Sequence, residues 1–270
     1  MAGAVSAPTG LPRAECVRLD YPIEHLAVVT LNRPEARNAI NEATALTLAR
    51  VVAQLEDDAS IRCVVLTGAG EQAFSAGADL KEVAAGGLEK LSTADNGFGG
   101  FVTAKRSKPW IAAVNGFALA GGFEIALACD MIVAADDAVF GLPEVTRGLI
   151  AAAGGVYRLV RRLPQGLAIE LIATGNRLDA SRAAALGLVN QVVPKAELHP
   201  AALRLAAAVA ANAPIAVRES LALARRAHDL EDAALYRLSV EAQSRIMLTE
   251  DFKEGPRAFI EKRPPRWLGR

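Results

Sequence analysis

The stretch IAAVNGFALAGGFEIALACDMIVAA, residues 111–135, decides the reading of the fold. Ile111 to Asn115 and Met131 to Ala135 are short β-rich runs, Gly116 to Gly122 reads as a turn, and Phe123 to Cys129 reads as a helix. Strand, glycine-rich turn, helix, strand is the signature of an α/β core.

The same alternation extends in both directions. Toward the N-terminus, Cys16 to Asp20 and Ala27 to Leu31 predict an opening hairpin around Tyr21 to His25. Asn41 can cap a helix carrying Leu46, Leu48, Val51, Val52 and Leu55, and Cys63 to Thr67 predicts a buried strand ending at Gly68. A loop of small residues spans Ala69 to Asp79, and Ala84 to Gly100 has no clear period and predicts a mobile helix-and-loop segment. Toward the C-terminus, Arg158 to Arg162, Gly166 to Thr174 and Ala180 to Leu186 predict helices before a last strand, Val189 to Val193. From residue 196 the pattern is helical and Ala-rich: 201–211, 215–227, 232–247 and 252–262, with Pro214 and Gly255-Pro256 as interruptions. The expected division is a loose tail over 1–13, an α/β core over 14–195 and a helical region over 196–270.

Bulk composition narrows the function. In 270 residues, 52% hydrophobic and 22% charged content fits a globular chain rather than a disordered one. Thirty basic residues balance thirty acidic ones, so the excess charge that steers proteins to nucleic acid or anionic membranes is missing. No apolar run approaches the ~18 residues that a membrane span requires. Cys16, Cys63 and Cys129 are scattered, as are His25, His199 and His228, which predicts reduced thiols, a cytoplasmic setting and no metal site.

Two carboxylates stand out. Glu124 follows Gly121-Gly122 in an otherwise apolar helical turn, where burial would lift its pKa toward the range useful for proton exchange. Its plainer reading is a Glu that escapes to solvent or caps a helix. Glu144 follows Pro143 at a helix start, and its plainer reading is a first-turn acid favoured by the helix dipole. Together they can share one water molecule, one taking its proton while the other exchanges a proton with carbon. The small-residue loops at 74–80 and 120–122 would let a ligand approach the backbone, and two N–H groups aimed at one oxygen form an oxyanion hole.

Several of these segments together resemble a known family. Leu31-Asn32-Arg33-Pro34, Asn38-Ala39, Ser75 to Leu80, Pro109 with Ala112 to Gly116, Gly121-Gly122-Phe123-Glu124 and Pro143-Glu144 follow the order of the crotonase superfamily, the enoyl-CoA hydratases and isomerases. The resemblance runs from about residue 15 to the C-terminus. It implies a crotonase-like ββα spiral core with a C-terminal helical trimerisation region, and a homotrimer or dimer of trimers. It also implies an acyl-CoA thioester as substrate, with coenzyme A part of that substrate and no separate cofactor.

Residue by residue, the resemblance places Glu124 and Glu144 on the catalytic glutamates and the N–H groups of Ala78 and Gly121 on the oxyanion hole. Ala36, Arg37, Ala76, Asp79 and Leu80 fall on stretches lining the CoA arm. Phe259 and Lys262 fall on the closing helix, which in relatives reaches the CoA of a neighbouring subunit. Where typical hydratases show Pro-Gly before Ala-Gly-Gly, with the Gly N–H helping to seat the water, this chain has Ala151-Ala152-Ala153-Gly154-Gly155. That duty falls on the Ala152 N–H. The ending with Trp267, Gly269 and Arg270 is similar to bacterial carnitinyl-CoA dehydratases.

The implied activity is reversible syn hydration of a 2-enoyl-CoA to a 3-hydroxyacyl-CoA in fatty-acid or related acyl-CoA catabolism. The alternatives on the same scaffold are double-bond isomerisation, dehalogenation and hydroxyacyl-CoA cleavage. From another class comes a non-catalytic acyl-CoA-binding or RNA-associated scaffold.

Overall fold

The structure of the protein, a computed structural model, describes residues 16–270. The tail expected over 1–13 lies outside the described residues. Strands β1 (Val17–Ile23) and β2 (Leu26–Leu31) form the expected hairpin, with His25 in a left-handed turn conformation. Helix α1 (Glu42–Asp57) begins where Asn41 predicts, its side chain accepting from the Thr44 N–H at 2.9 Å. Then follow β3 (Cys63–Gly68), β4 (Ala73–Ser75), α2 (Leu80–Ala84), and the small hairpin of β5 (Ser92–Thr93) and β6 (Gly97–Phe98). The decisive stretch supplies β7 (Trp110–Val114), β8 (Phe117–Leu119), α3 (Gly121–Ala128) and β9 (Met131–Ala135). After β10 (Val139–Gly141) come α4 (Gly155–Arg162), α5 (Gln165–Thr174), β11 (Arg177–Asp179), α6 (Ala180–Ala185) and β12 (Gln191–Val193). The C-terminal helices are α7 (Leu198–Ala210), α8 (Pro214–Ala224), α9 (Asp232–Met247) and α10 (Glu250–Ile260).

The strands build two sheets. A six-stranded sheet runs β1-β2-β3-β7-β9-β12, parallel from β2 onward, and a four-stranded sheet runs β11-β10-β8-β4. Each turn of the spiral lays one long strand in the first sheet, one short strand in the second, and then a helical segment: β3-β4-α2, β7-β8-α3, and β9-β10 with the turn at Pro143. Strands β3 and β7 are covered on both faces, which explains their unbroken apolar runs. Register pairs Val65 with Ile111 and Ile111 with Met131 across the core.

Several expectations change. The turn expected at 116–122 contains β8, and α3 starts at Gly121 rather than Phe123 because Ala120 makes the bend itself, at φ 51°. The loop expected over 69–79 contains β4, while β10 and β11 were not foreseen. Three-residue strands carry no readable period, and their partners are distant in sequence. The segment 84–100 holds a tight turn at Leu88–Leu91 and the β5-β6 hairpin, with Leu91 fully buried. Pro214 opens α8, and α10 continues through Pro256. Tertiary ties hold that helix together: Glu254 accepts from both terminal nitrogens of Arg263 and from the Arg266 N–H.

Within the helical region, α7 lies on the large sheet, its small Ala201, Ala202 and Ala206 allowing close approach to β3 and β7. Helix α8 is tied to the core by Arg225, which grips Asp130 through two 2.8 Å bonds. Helices α9 and α10 pack on one another and leave Tyr236, Leu248, Phe259 and Ile260 exposed. Among the described residues, no single helix is long and apolar enough to cross a membrane.

Candidate active site

Glu124 stands in the first turn of α3, whose sequence Gly-Gly-Phe-Glu-Ile-Ala-Leu-Ala is buried through Leu127. It cannot reach solvent there and is only 4% exposed. Its Oε1 accepts from the Gly155 N–H at 2.8 Å. Burial pushes the carboxyl up to about 7, and the charge of nearby Glu144 adds to the rise. The N–H groups of Gly155 and Ala153 and the Arg158 guanidinium pull the other way. The reading of Glu124 as a solvent-exposed side chain is therefore excluded, while its bond to Gly155, the first residue of α4, means that it also caps that helix.

Glu144 arrives from the neighbouring strand of the same four-stranded sheet, β10, which pairs with the β8 strand that leads into α3. Strand β10 ends at Gly141, Pro143 fixes the start of a tight helical turn, and Glu144 follows. Burial raises its pKa too, against its own N–H and Arg147. Its Oε2 is buried and has no hydrogen-bond partner among the described residues. A buried carboxylate oxygen requires a donor, and this one is left for a water molecule or a ligand.

The segments that carry the two expected backbone donors, Ala78 and Gly121, lie against each other. In the bridge between Ile40 and Ala78, the Ile40 N–H donates to Gly77 O and the Asp79 N–H donates to Ile40 O, so the intervening Ala78 N–H faces away from Ile40. Gly121 is the first residue of α3, where the N–H has no intrahelical acceptor and carries the positive end of the helix dipole. The segments bearing Ala78 and Gly121 touch: a Cβ on Gly77 would lie 2.8 Å from the Gly121 nitrogen, and one on Gly122 would lie 2.1 Å from Ser75 O. Glycine is required for that approach.

The remaining expected residues divide. Ala36 ends the tight helical turn Pro34–Ala36, Arg37 follows it in the left-handed conformation, and the Ala76 N–H donates to Arg37 O at 3.0 Å, so this loop and the 75–80 loop form one surface. The Arg37 side chain is exposed, and Leu80 is 63% exposed. The Asp79 side chain has a structural duty within the stretch expected to line the CoA arm. Its Oδ2 pairs with Arg33 at 2.9 Å and its Oδ1 caps α2 through the Lys81 N–H, so both oxygens are engaged in building the loop. Phe259 and Lys262 stand at the end of α10, whose main packing partner is α9, and Phe259 is 85% exposed.

Ala152 is a further correction. Its N–H donates to Ile150 O at 2.8 Å in a tight γ-type turn, which turns it away from seating a water. The donors that serve the acid are Ala153 and Gly155 instead. Sequence reasoning also missed Arg158, which donates to Ala153 O at 2.9 Å and to Val102 O at 2.5 Å and so holds the 151–155 loop in place.

Known proteins share this arrangement of chain. Residues 23–270 match the family model for enoyl-CoA hydratase/isomerase. The chain is 42% identical over 250 residues to a carnitinyl-CoA dehydratase of Proteus mirabilis, covering 90% of this chain and 94% of that one. It is 40% identical over 262 residues to a mevalonyl-coenzyme A hydratase of Aspergillus fumigatus, covering 95% and 96%. The crystal structure of an enoyl-CoA hydratase from Mycobacterium tuberculosis superposes with a TM-score of 0.90 at 40% identity, over 94% of this chain and 99% of that one. With its ββα spiral and its match along nearly the whole sequence, this chain belongs to the enoyl-CoA hydratase/isomerase family of the crotonase superfamily.

Proposed function

We propose that this chain is a 2-enoyl-CoA hydratase, catalysing reversible syn addition of water to give a 3-hydroxyacyl-CoA in acyl-CoA catabolism. The observation that carries the reading is a pair of neighbouring acids, Glu124 buried and near neutrality and Glu144 half-buried with one buried, unpartnered oxygen, the first of them one helical turn from the Gly121 N–H. The thioester oxygen accepts from those two N–H groups, which draws electron density from the double bond. Water between the acids loses a proton to one carboxylate as its oxygen bonds to C3. The displaced electron pair moves to the thioester oxygen and returns as C2 takes a proton from the other carboxyl. A carboxyl with a pKa near 7 suits either duty at neutral pH.

CoA arrives with the substrate, and the mechanism uses no separate cofactor. The free Cys16, Cys63 and Cys129 fit the reducing cytoplasm. The exposed Tyr236, Leu248, Phe259 and Ile260 favour assembly into a homotrimer or dimer of trimers. Phe259 and Lys262 would then reach the CoA of a neighbouring subunit.

The test is loss of enoyl-thioester absorbance across a panel from crotonyl-CoA to long-chain and aromatic enoyl-CoAs. Glu124→Gln and Glu144→Gln should each lower the rate by about 10² to 10⁴. A variant hydrating at the wild-type rate removes that residue from the mechanism. Double-bond migration without hydration would reassign the reaction to isomerisation.

A further inference from the structure

We infer that Phe98 sets acyl specificity, its ring walling the thioester end of the substrate so that flat enoyl groups unbranched at C2 are accepted and C2-branched ones are refused. The inference rests on the oxyanion role of Gly121 proposed above.

The carrying observation is a contact. A Cβ built on Gly121 would lie 2.4 Å from Phe98 Cε1 and 2.5 Å from Cζ, and its three nearest atoms all belong to that ring. The ring tip therefore touches the Gly121 Cα. Side chains on a helix lean toward its N-terminus, so the ring stands at the same end of α3 from which the Gly121 N–H projects. A carbonyl oxygen held by that N–H lies ~2.9 Å from the nitrogen. The carbonyl carbon is one bond further and C2 two, which brings the ring beside C2.

The ring is also held in position. Phe98 ends the β5-β6 hairpin opposite Ser92, and its carbonyl accepts from the Phe101 N–H at 3.2 Å. Gly97 and Gly99 flank it at φ 65° and 64°, a double bend that other residues rarely adopt. The Gly99 N–H donates to Leu91 O at 2.8 Å, and a Cβ on Gly99 would lie 3.1 Å from Ile125 Cδ1. The hairpin is thus pressed onto α3 and cannot retreat without lifting off that helix. A wall of this kind discriminates by sterics, and one methyl group against it is worth roughly 10- to 200-fold.

The experiment compares 2-methylcrotonyl-CoA with crotonyl-CoA. Phe98→Ala should raise the ratio of kcat/KM for the branched over the straight substrate by about 10-fold or more. Phe98→Leu serves as a second variant that keeps an apolar side chain in the hairpin, and should raise the ratio less. Gly121→Ala retains the N–H but drives a methyl into the ring, so it should lose hydration that Gly121→Ala with Phe98→Ala partly restores. An unchanged ratio in both Phe98 variants with hydration intact overturns the inference and leaves the hydratase reading standing.

Binding of butanoyl-CoA and 2-methylbutanoyl-CoA, measured by calorimetry, separates the two claims. If the wild type hydrates nothing but favours the straight thioester, and Phe98→Ala erases that preference, the reaction reading fails and the wall stands. Equal wild-type affinity for both thioesters overturns the wall.

Discussion

The Gly155 N–H donates to Glu124 Oε1 at 2.8 Å, and a Cβ on Gly155 would lie 3.0 Å from Glu124 Cγ. Donor and acid are packed so closely that the residue holding the carboxylate must lack a side chain. Gly155→Ala should cost about 1–3 kcal/mol through overpacking against Glu124, Leu142 and Ala151. Urea unfolding measures the stability, and kcat should fall with it because the acid is displaced. Unchanged values in both would show that the pocket yields freely.

Glu124 also makes stability depend on pH. Its pKa of about 7 in the fold exceeds the ordinary 4.5, so between those values the folded chain holds a proton that the unfolded chain releases. Stability from this group is therefore full below the ordinary value and lost as pH rises through about 7, an effect of ~3 kcal/mol at most. Urea midpoints at pH 5 and pH 8 should differ more in the wild type than in Glu124→Gln. The raised pKa of Glu144 acts in the same direction and leaves a residual slope in that variant. Equal slopes would contradict the assignment.

Arg158 acts on the acid through the loop and through its charge. Arg158→Gln releases Ala153 O and Val102 O and removes a cation that lowers the Glu124 pKa. The pH–rate profile should shift so that its limb near pH 7 moves upward, with kcat reduced by about 10-fold for a slackened acid. Reduced kcat with an unmoved limb would confine Arg158 to packing.

Lys108 provides a control remote from the acids. It is 1% exposed, and its Nζ donates to Leu55 O, to Glu56 O at 3.1 Å and to Asp58 O at 2.6 Å, capping the end of α1. Lys108→Met keeps the length and strands these carbonyls, which should cost about 2–4 kcal/mol. Thermal and urea unfolding should both register it, while the pH profile of the surviving activity stays in place.

What could be read from sequence, and what could not, follows from physics. Glu124 was visible because a charge in an apolar turn after two glycines is anomalous, and Asn41 because its cap is a local interaction. Ala153 and Gly155 were invisible as partners, since a backbone donor has no letter of its own. The duty of the Asp79 side chain was invisible because its ion partner, Arg33, lies far back in the chain. Ala152 sat at the position the family pattern gives to a water-seating N–H, but local turn geometry redirected that N–H to Ile150. Strands β4, β8, β10 and β11 escaped because only the finished spiral brings their partners alongside.

The Gly121 N–H and the Glu124 carboxylate hang from one turn of α3. At ~1.5 Å of rise per residue, their backbones are about 4.5 Å apart along the axis, a separation fixed by the peptide itself. In the proposed reaction the helix is a ruler laid between carbonyl and acid. On that proposal, residues of the hairpin can vary to admit other acyl groups while the spacing between the Gly121 N–H and the Glu124 carboxylate stays constant.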